Sequence, residues 1–550
     1  MQRRTLLVLA LAATAACGDL MAQSNSRGTS ASPISSGYNG ALENISGANY
    51  WGRRGSAFPN GELAVSFTNQ LCNPGGLDLA WFAADNSPVG SQMSEDHPKF
   101  GFIVAREVNG RLVQISDWSY CKHAFLSLND PGSCGTCANG ASAETMYVGC
   151  SDVYTFNNNG SRTYLGPPAE INPWLGTWNH VGSYFDAWPG ASPTDGIKGS
   201  TPAFDAVEHR VTVKEASLGG TVTSGLYFQI HVIHEGEPIE NRGNNTMSRP
   251  FTLSWSGTNW STTTTGSATY GSILTRWTGS TMAIGQNGGG LWNNTDDGRF
   301  AVAVKVTGPT NGVWHYEYIV HNIDNNRGGA AFRLPVCPTA QVTNIGFRDI
   351  DQDALNDWTS SFSGGTLSWT APLSNPQNWN TMFNFWFDSD AAPVSGTSTI
   401  DEAAVGPGAL TVSVPTSVPG YQPLVNLGPG CGTPAMTITG SGGFPVTGNP
   451  SFGLTFTSAP GTLFIPLFSN PIAGGTIIPG CDLFIDLGAY GDLGGWITDG
   501  AGVSTIPTGV DITWSSLNIQ ALTLIPSPPI LGIVGLSSGV TVRYNGTGCN

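Results

Sequence analysis

From Tyr38 to Val414 the chain repeats one pattern, a short run of strand-forming residues followed by a turn rich in Gly, Pro or Asn. FGFIVAREV, RLVQISDW, EHRVTVKEA, LYFQIHVIH, FAVAVKVTG and VWHYEYIVH are such runs. No comparably long stretch carries apolar residues at helical spacing. Segments of this kind bury their apolar side chains by packing sheets face to face. The expected fold class is all-β: one large sandwich or a double jelly-roll-like domain over residues 38–416, with any sub-boundary falling near residue 220.

The pattern changes after Thr416. SVPGYQPLVNLGPGCGTP reads as a linker into a second module, 417–550, whose only basic side chain is Arg543 and which has no histidine. GFPVTGNPSFGLTF, TLFIPLF, CDLFIDLG, VDITWSSLNIQALTLI and GVTVRYNG read as strands of a small β-sandwich. With almost no titratable groups, this module is expected to serve attachment, spacing or display. Chemistry, if any, belongs to 38–416.

The first residues, MQRRTLLVLALAATAAC, place Arg3 and Arg4 before an apolar stretch that ends in small residues. They read as a secretory signal over 1–22, with cleavage after Ala22, followed by a disordered leader over 23–37. Lipidation at Cys17 is the rival reading, but Thr14 stands where such sites usually carry Leu. No later apolar run is long enough to span a bilayer. The expected location is secreted, extracellular or on the cell surface. A formal net charge of -16, with 11% charged residues, argues against nucleic acid as a partner.

Export makes disulfides the first reading of the cysteines. Cys72, Cys121, Cys134, Cys137, Cys150 and Cys337 form an even set in the first part and are expected to pair among themselves. Zinc held by Cys121, His123, Cys134 and Cys137 is the competing reading. Cys431, Cys481 and Cys549 lie in the last part.

All eight histidines fall between His97 and His321. Strand alternation puts His209 on the face of Val211 and Val213, the position of a hydrogen-bonded core residue. It also turns His231 and His234 to opposite faces of one strand. His315 and Glu317 share a face about 7 Å apart, whereas His321 is about 20 Å from His315. One candidate constellation is His97, His123 and His209, as an acid–base or metal site. A second is His231, His315 and Glu317, as a copper, iron or zinc site. A cross-strand ion pair is the plainer reading of His315 and Glu317.

DIDQDALNDW matches a calcium loop at Asp349, Asp351, Asp353 and Asp357. Ala354 replaces the glycine such loops use for a sharp turn, and Ser360 replaces the closing glutamate. An acidic turn is the alternative. Trp51, Trp174, Trp178, Trp188, Trp255, Trp260, Trp277 and Trp292 sit in Gly- and Asn-rich surroundings that suit stacking on sugar rings, or simply the core.

CKHAFLSLN, MYVGCSDVY, LGPPAEIN, FDAVEHRVTV, YFQIHVI, HYEYIVHNID and NTMFNFWFDSDAAP resemble a group of large exported proteins of aquatic bacteria. GPGCGTP, VTGNPSFGLTF and IIPGCDLFIDLG resemble a module at the C-terminal ends of many such proteins. The resemblance implies secretion and a two-part layout, and it brings no catalytic residue with it. Three functions are therefore expected alternatives: a secreted protein that binds or cleaves extracellular polysaccharide, a histidine-ligated copper or iron oxidative enzyme, and a non-catalytic disulfide-stabilised surface or matrix protein.

Overall fold

A computed structural model of the chain describes residues 36–81, 95–138, 143–190, 192, 194–287, 297–337, 340–351, 353–420, 424–442, 445, 449–508, 516–525, 529–530 and 534–544. The protein is all-β. Its described helical elements are short, from single turns such as Phe156–Asn159 and Ile273–Arg276 to the six residues Ile239–Asn244. None of the described helices is long and apolar enough to cross a membrane.

The first sandwich spans Ala41 to Tyr270. One of its sheets runs Ala41–Gly55, Gly61–Cys72, Cys150–Tyr154, Asp130–Pro131, with Val211–Lys214 also paired to Gly61–Cys72. The other is centred on Lys99–Val108, Leu226–Ile233 and Thr246–Trp255. Period-two alternation explains what lies between them. Phe228, Ile230 and Val232 point into this core with Phe67, Phe100 and Phe251.

The opposite face of the same central strand is buried as well. Tyr227 packs beneath a second sandwich, whose sheets are Thr281–Asn287, Gly298–Thr310, Val313–Asn322, Thr381–Ser389, Val342–Arg348 and Thr359–Ser363, Thr366–Thr370, Gly329–Pro335, Pro393–Glu402, Thr411–Pro419. A separate apolar cluster joins the two sandwiches. It holds Ile103, Ala105 and Leu112 of the first, Ile273, Leu274 and Trp277 of the connection, and Ala301, Ala303, Ile319 and Met382 of the second. Each large apolar side chain buried there contributes roughly 1.5–3 kcal/mol, so the joint resists parting as a core does. Gln114 Oε1 accepts from Met382 N at 2.9 Å and Leu112 O accepts from Asn384 Nδ2 at 2.9 Å across the same joint. The change of sandwich falls between Tyr270 and Thr281. Residue 220, the expected sub-boundary, joins two strands of one sandwich.

The third sandwich has its own core of Phe452, Leu454, Phe456, Phe464, Ile519 and Val542. Its sheets are built from strands between Leu424 and Arg543, and among the described residues these strands pair only with one another. Disulfides join Cys72 to Cys134, Cys137 to Cys150 and Cys431 to Cys481. Cys337 is also disulfide-bonded. Cys121 is a buried free thiol, which corrects its expected place among the paired cysteines. Its apolar surroundings push the thiol well above its ordinary range, so it is inert in the folded protein. The pairing does not fit zinc at Cys121, His123, Cys134 and Cys137, because Cys134 and Cys137, two of the three cysteines in that set, are in disulfides.

Candidate functional site

Two members of the first histidine constellation meet. His123 ends the strand Cys121–His123 and pairs with Lys99 across the ladder. Its Nδ1 lies 2.8 Å from Nε2 of His97, and neither residue is exposed. Trp178 and Phe185 stand edge-on to the His123 ring at 4.8 and 5.1 Å between centroids. A Cβ on residue 166 would come within 2.8 Å of His123 Nε2, so Gly166 is what lets the imidazole fit. That Nε2 has no hydrogen-bond partner. Burial, then the positive charges of Lys99, Lys122 and Lys198, hold His123 well below the ordinary imidazole range.

His209 does not join them. Its backbone is left-handed, at φ 64°, and the strand begins only at Val211, which corrects the expected extended placement beside Val211 and Val213. The ring stacks on Tyr120 at 4.3 Å and meets Tyr184 and Phe204 edge-on. The left-handed turn breaks the alternation on which the sequence expectation rested.

The second constellation is also divided. His231 is buried at the joint of the two sandwiches, where the charges of Asp324, Arg299 and Arg242 act on it and its own acts on His321. Asp324 is gripped by Arg299 from the same sandwich, with Nη2 at 2.7 Å, and approached by Arg242 from the other at 3.9 Å. Burial lowers His231 to about 4 and His321 to about 3. A void of about 10 Å³ between His231, Glu237, Arg242 and Asp324 is the size of one water site.

His315 and Glu317 instead form a part-buried chain of ion pairs. His315 Nδ1 lies 2.6 Å from Asp388 Oδ1 and its Nε2 3.3 Å from Glu317 Oε2. Arg111 from the first sandwich closes the chain on Glu317 at 2.6 Å and lies over the Trp386 ring. The two carboxylates hold opposite nitrogens of one imidazole, so they do not converge on a common point. His180 pairs with Glu95 at 2.8 Å, and His234 lies between the carbonyls of Glu235 and Ala80.

The aspartate loop is organised by its own backbone. Asp349 accepts from Asp351 N at 3.0 Å, Asp351 from Asp353 N at 2.7 Å, and Asp353 from Leu355 N at 3.1 Å. Asn375 Nδ2 donates to the second oxygen of Asp349 at 2.6 Å. Among the described residues no set of three or more His, Cys, Asp or Glu side chains is arranged to hold one ion. Of the candidate sugar-stacking tryptophans, Trp174, Trp178, Trp188, Trp260 and Trp277 are buried, and Trp51 and Trp255 are half-buried. Trp292 lies outside the described residues.

Sequence reasoning missed the buried cations. Lys99 donates to the carbonyls of Glu95 and Gly176 at 2.8 and 2.9 Å, and burial lowers it to about 8. Lys122 Nζ has no hydrogen-bond partner and sits 4.3 Å from the Tyr164 ring centre and 4.7 Å from that of Phe125. Arg327 pairs with Asp297 at 2.8 Å and with Glu402. Arg327 and Asp297 line a cleft of about 350 Å³ that also touches Asn172, Trp174, Asn326 and Pro407. The available signal was a charged residue inside an apolar run, as in HPKFGFIVA and CKHAFL, in a chain with few charges.

No protein-family model matches the chain, and no curated protein matches it. Among solved structures it is similar to a variant of BcpA, the major pilin subunit of Bacillus cereus, at 10% identity over 64% of this chain and 88% of that one, with a TM-score of 0.17. It is also similar to Escherichia coli alpha-2-macroglobulin activated by porcine elastase, at 8% identity over 92% of this chain and 35% of that one, with a TM-score of 0.14. Likenesses this slight carry nothing about what this chain does.

Proposed function

We propose that the protein is a non-catalytic, disulfide-stapled protein of the outer surface or extracellular matrix. The observation that carries this reading is the state of the histidines. His97, His123, His231, His234 and His321 are buried, His180 and His315 are held by carboxylates, and His209 is stacked on Tyr120 and paired with Glu208. A general base must reach a substrate proton within about 3 Å. Side chains sealed in a core do not reach one. Paired cysteines fit an oxidising location, which agrees with the expected export.

The cleft at the sandwich joint favours a second reading, the binding of extracellular polysaccharide. About 350 Å³ holds one or two sugar rings, and amide, carboxylate and guanidinium groups beside Pro407 and Leu175 offer hydroxyl partners and an apolar wall. Full-length protein, screened on a polysaccharide panel by affinity gel and by reducing-end release, separates the readings. The structural role predicts neither retention nor release and recovery of the protein in the surface or matrix fraction of cells. Retention weakened by Asn326→Ala favours the second reading. Turnover, or stoichiometric copper or iron lost in His123→Ala, overturns both.

A further inference from the structure

Resting on the second reading above, that the cleft at the joint takes an extracellular polysaccharide, we propose that its subsite is built for a neutral sugar and excludes acidic ones. The first sandwich contributes Asn172, Trp174 and Leu175, from the turn that joins Ile171–Asn172 to Thr177–Trp178. The second contributes Asp297, Arg327 and Pro407, from the loops beside Gly298–Thr310, Gly329–Pro335 and Pro393–Glu402.

Two donors in this wall are buried and unanswered. Trp174 is 1% exposed and Arg327 4%. Trp174 Nε1 and Arg327 Nη2 have no hydrogen-bond partner. The rest of the guanidinium is engaged: Nε donates to Ala404 O at 2.6 Å and Nη1 to Ala409 O at 2.7 Å. Buried donors in folded proteins are nearly always paired, because leaving one unmade is costly. A ligand oxygen in the cleft supplies what both lack. Asn172 adds a third donor. Its Oδ1 accepts from Trp174 N at 3.1 Å and Leu175 N at 3.0 Å, which fixes the amide and leaves Nδ2 for a ligand. Asp297 adds the acceptor. Its Oδ2 accepts from Arg327 Nη1 at 2.8 Å and Gly408 N at 3.2 Å. A Cβ at residue 406 would lie 2.9 Å from Oδ1, so Gly406 keeps that oxygen uncovered. Three donors and an acceptor beside Leu175 and Pro407 match a sugar ring, whose hydroxyls both donate and accept and whose C–H face is apolar.

Charge decides the class. Among the described residues that line the cleft, Arg327 is the one cation. It already pairs with Asp297 at 2.8 Å and with Glu402. Even with Glu402 protonated, Asp297 balances it. Arg242, stacked on the Trp174 ring at 4.2 Å, is engaged by Glu237 O at 2.8 Å and faces Asp324 at 3.9 Å. A uronate carboxylate or a sulfate would therefore bring an unbalanced negative charge against Asp297, among buried groups where like charges repel more strongly than in water. A neutral ring brings none.

Isothermal titration of the full chain tests this, with gluco-, manno- and galacto-oligosaccharides set against uronate and sulfated chains of equal length. At least one neutral chain is expected to bind, and every acidic chain about tenfold more weakly or worse. Asn172→Asp keeps the oxygen that caps the turn, loses the Nδ2 donor and adds a negative charge. It should weaken the neutral ligand by about tenfold. Trp174→Phe keeps an aromatic ring, removes the indole N–H and should weaken it by about three- to tenfold. An acidic chain bound as tightly as the neutral one, with both lost in Asn172→Asp, overturns the neutral class and leaves the cleft reading standing. Binding of no chain overturns both. Neutral binding unchanged in two variants that melt like the parent places the sugar elsewhere and overturns the subsite.

Discussion

His97 and His123 touch through ring nitrogens 2.8 Å apart, with neither ring exposed to solvent. A contact that short needs one N–H and one bare nitrogen, so at least one of the rings is neutral. The pair is a core polar contact, enclosed by Trp178 and Phe185. His123→Ala removes the ring and one partner of His97, and it leaves a hole beside Gly166. The expected loss is about 2–4 kcal/mol of unfolding free energy, from the cavity and the lost contact together. Urea unfolding followed by tryptophan fluorescence measures it. An unchanged midpoint would show that the pair does not support the core.

Acid should loosen the joint between the first two sandwiches. His231 and His321 approach each other from opposite sides of it, facing Asp324, Arg299 and Arg242, and burial lowers them to about 4 and about 3. Unfolded, each titrates near 6.5. The stability they contribute is complete above that value and is lost as the pH falls from there toward the folded values, because the unfolded chain takes up protons first. Urea midpoints between pH 7.5 and 4 should therefore fall, and His321→Gln should flatten the slope by about one proton. Equal slopes in parent and variant would show that His321 is not the group being charged.

His315 should behave in the opposite sense. Glu317 and Asp388 raise it above its ordinary value through hydrogen bonds and charge. Its contribution is complete below about pH 6.5 and disappears as the pH rises through the folded value. The side chain is 37% exposed, so the contribution is at most about 1 kcal/mol. An NMR titration of the His315 ring, repeated in Asp388→Asn, checks the sign. The variant's midpoint should move down; a midpoint that stays put would remove Asp388 as a cause.

Alternation made much of the fold legible in the sequence. Phe228, Ile230 and Val232 face one core, and Tyr316, Tyr318 and Val320 another, as a period of two requires. The same reasoning put His315 and Glu317 on one face, and its plainer outcome, an ion pair, is what the structure has. It failed at His209 because a left-handed residue interrupts the pattern, and one sequence does not announce a positive φ at a non-glycine position. The joint was hidden for another reason. In the strand Leu226–Ile233 the polar residues Gln229 and His231 alternate with apolar ones and read as a solvent-facing row, yet both are buried beneath the second sandwich. The free thiol at Cys121 shows a limit of counting: parity suggests pairing, but a bond also needs two Cα atoms within about 7 Å.

Arg327 should be the costliest charge to remove. It is buried against Asp297 and Glu402 and also donates to Ala404 O at 2.6 Å and Ala409 O at 2.7 Å. Arg327→Ala leaves two carboxylates together in the cleft wall, and the expected loss is about 3–5 kcal/mol at neutral pH. Burial already raises Glu402, so mild acid should recover part of the loss by protonating it. Thermal melts at pH 7 and pH 5 test this. A defect that does not shrink at the lower pH would mean that the lost carbonyl bonds, and not the stranded carboxylates, cause it.

The first two sandwiches should fold without the third. Gly420 N makes the last described hydrogen bond of that part, to Ala392 O at 2.9 Å, and the core around Phe452 and Val542 is separate from the cores on either side of the joint. A chain ended after Gly420 keeps the whole edge strand Thr411–Pro419, whereas a stop at Thr416 would cut into it. The expected product is monomeric, with near-native tryptophan fluorescence and a Tm within a few degrees of the corresponding transition in the parent. Loss of a cooperative melt would show that the third sandwich completes a core it shares with the second, through contacts that strand pairing alone does not reveal.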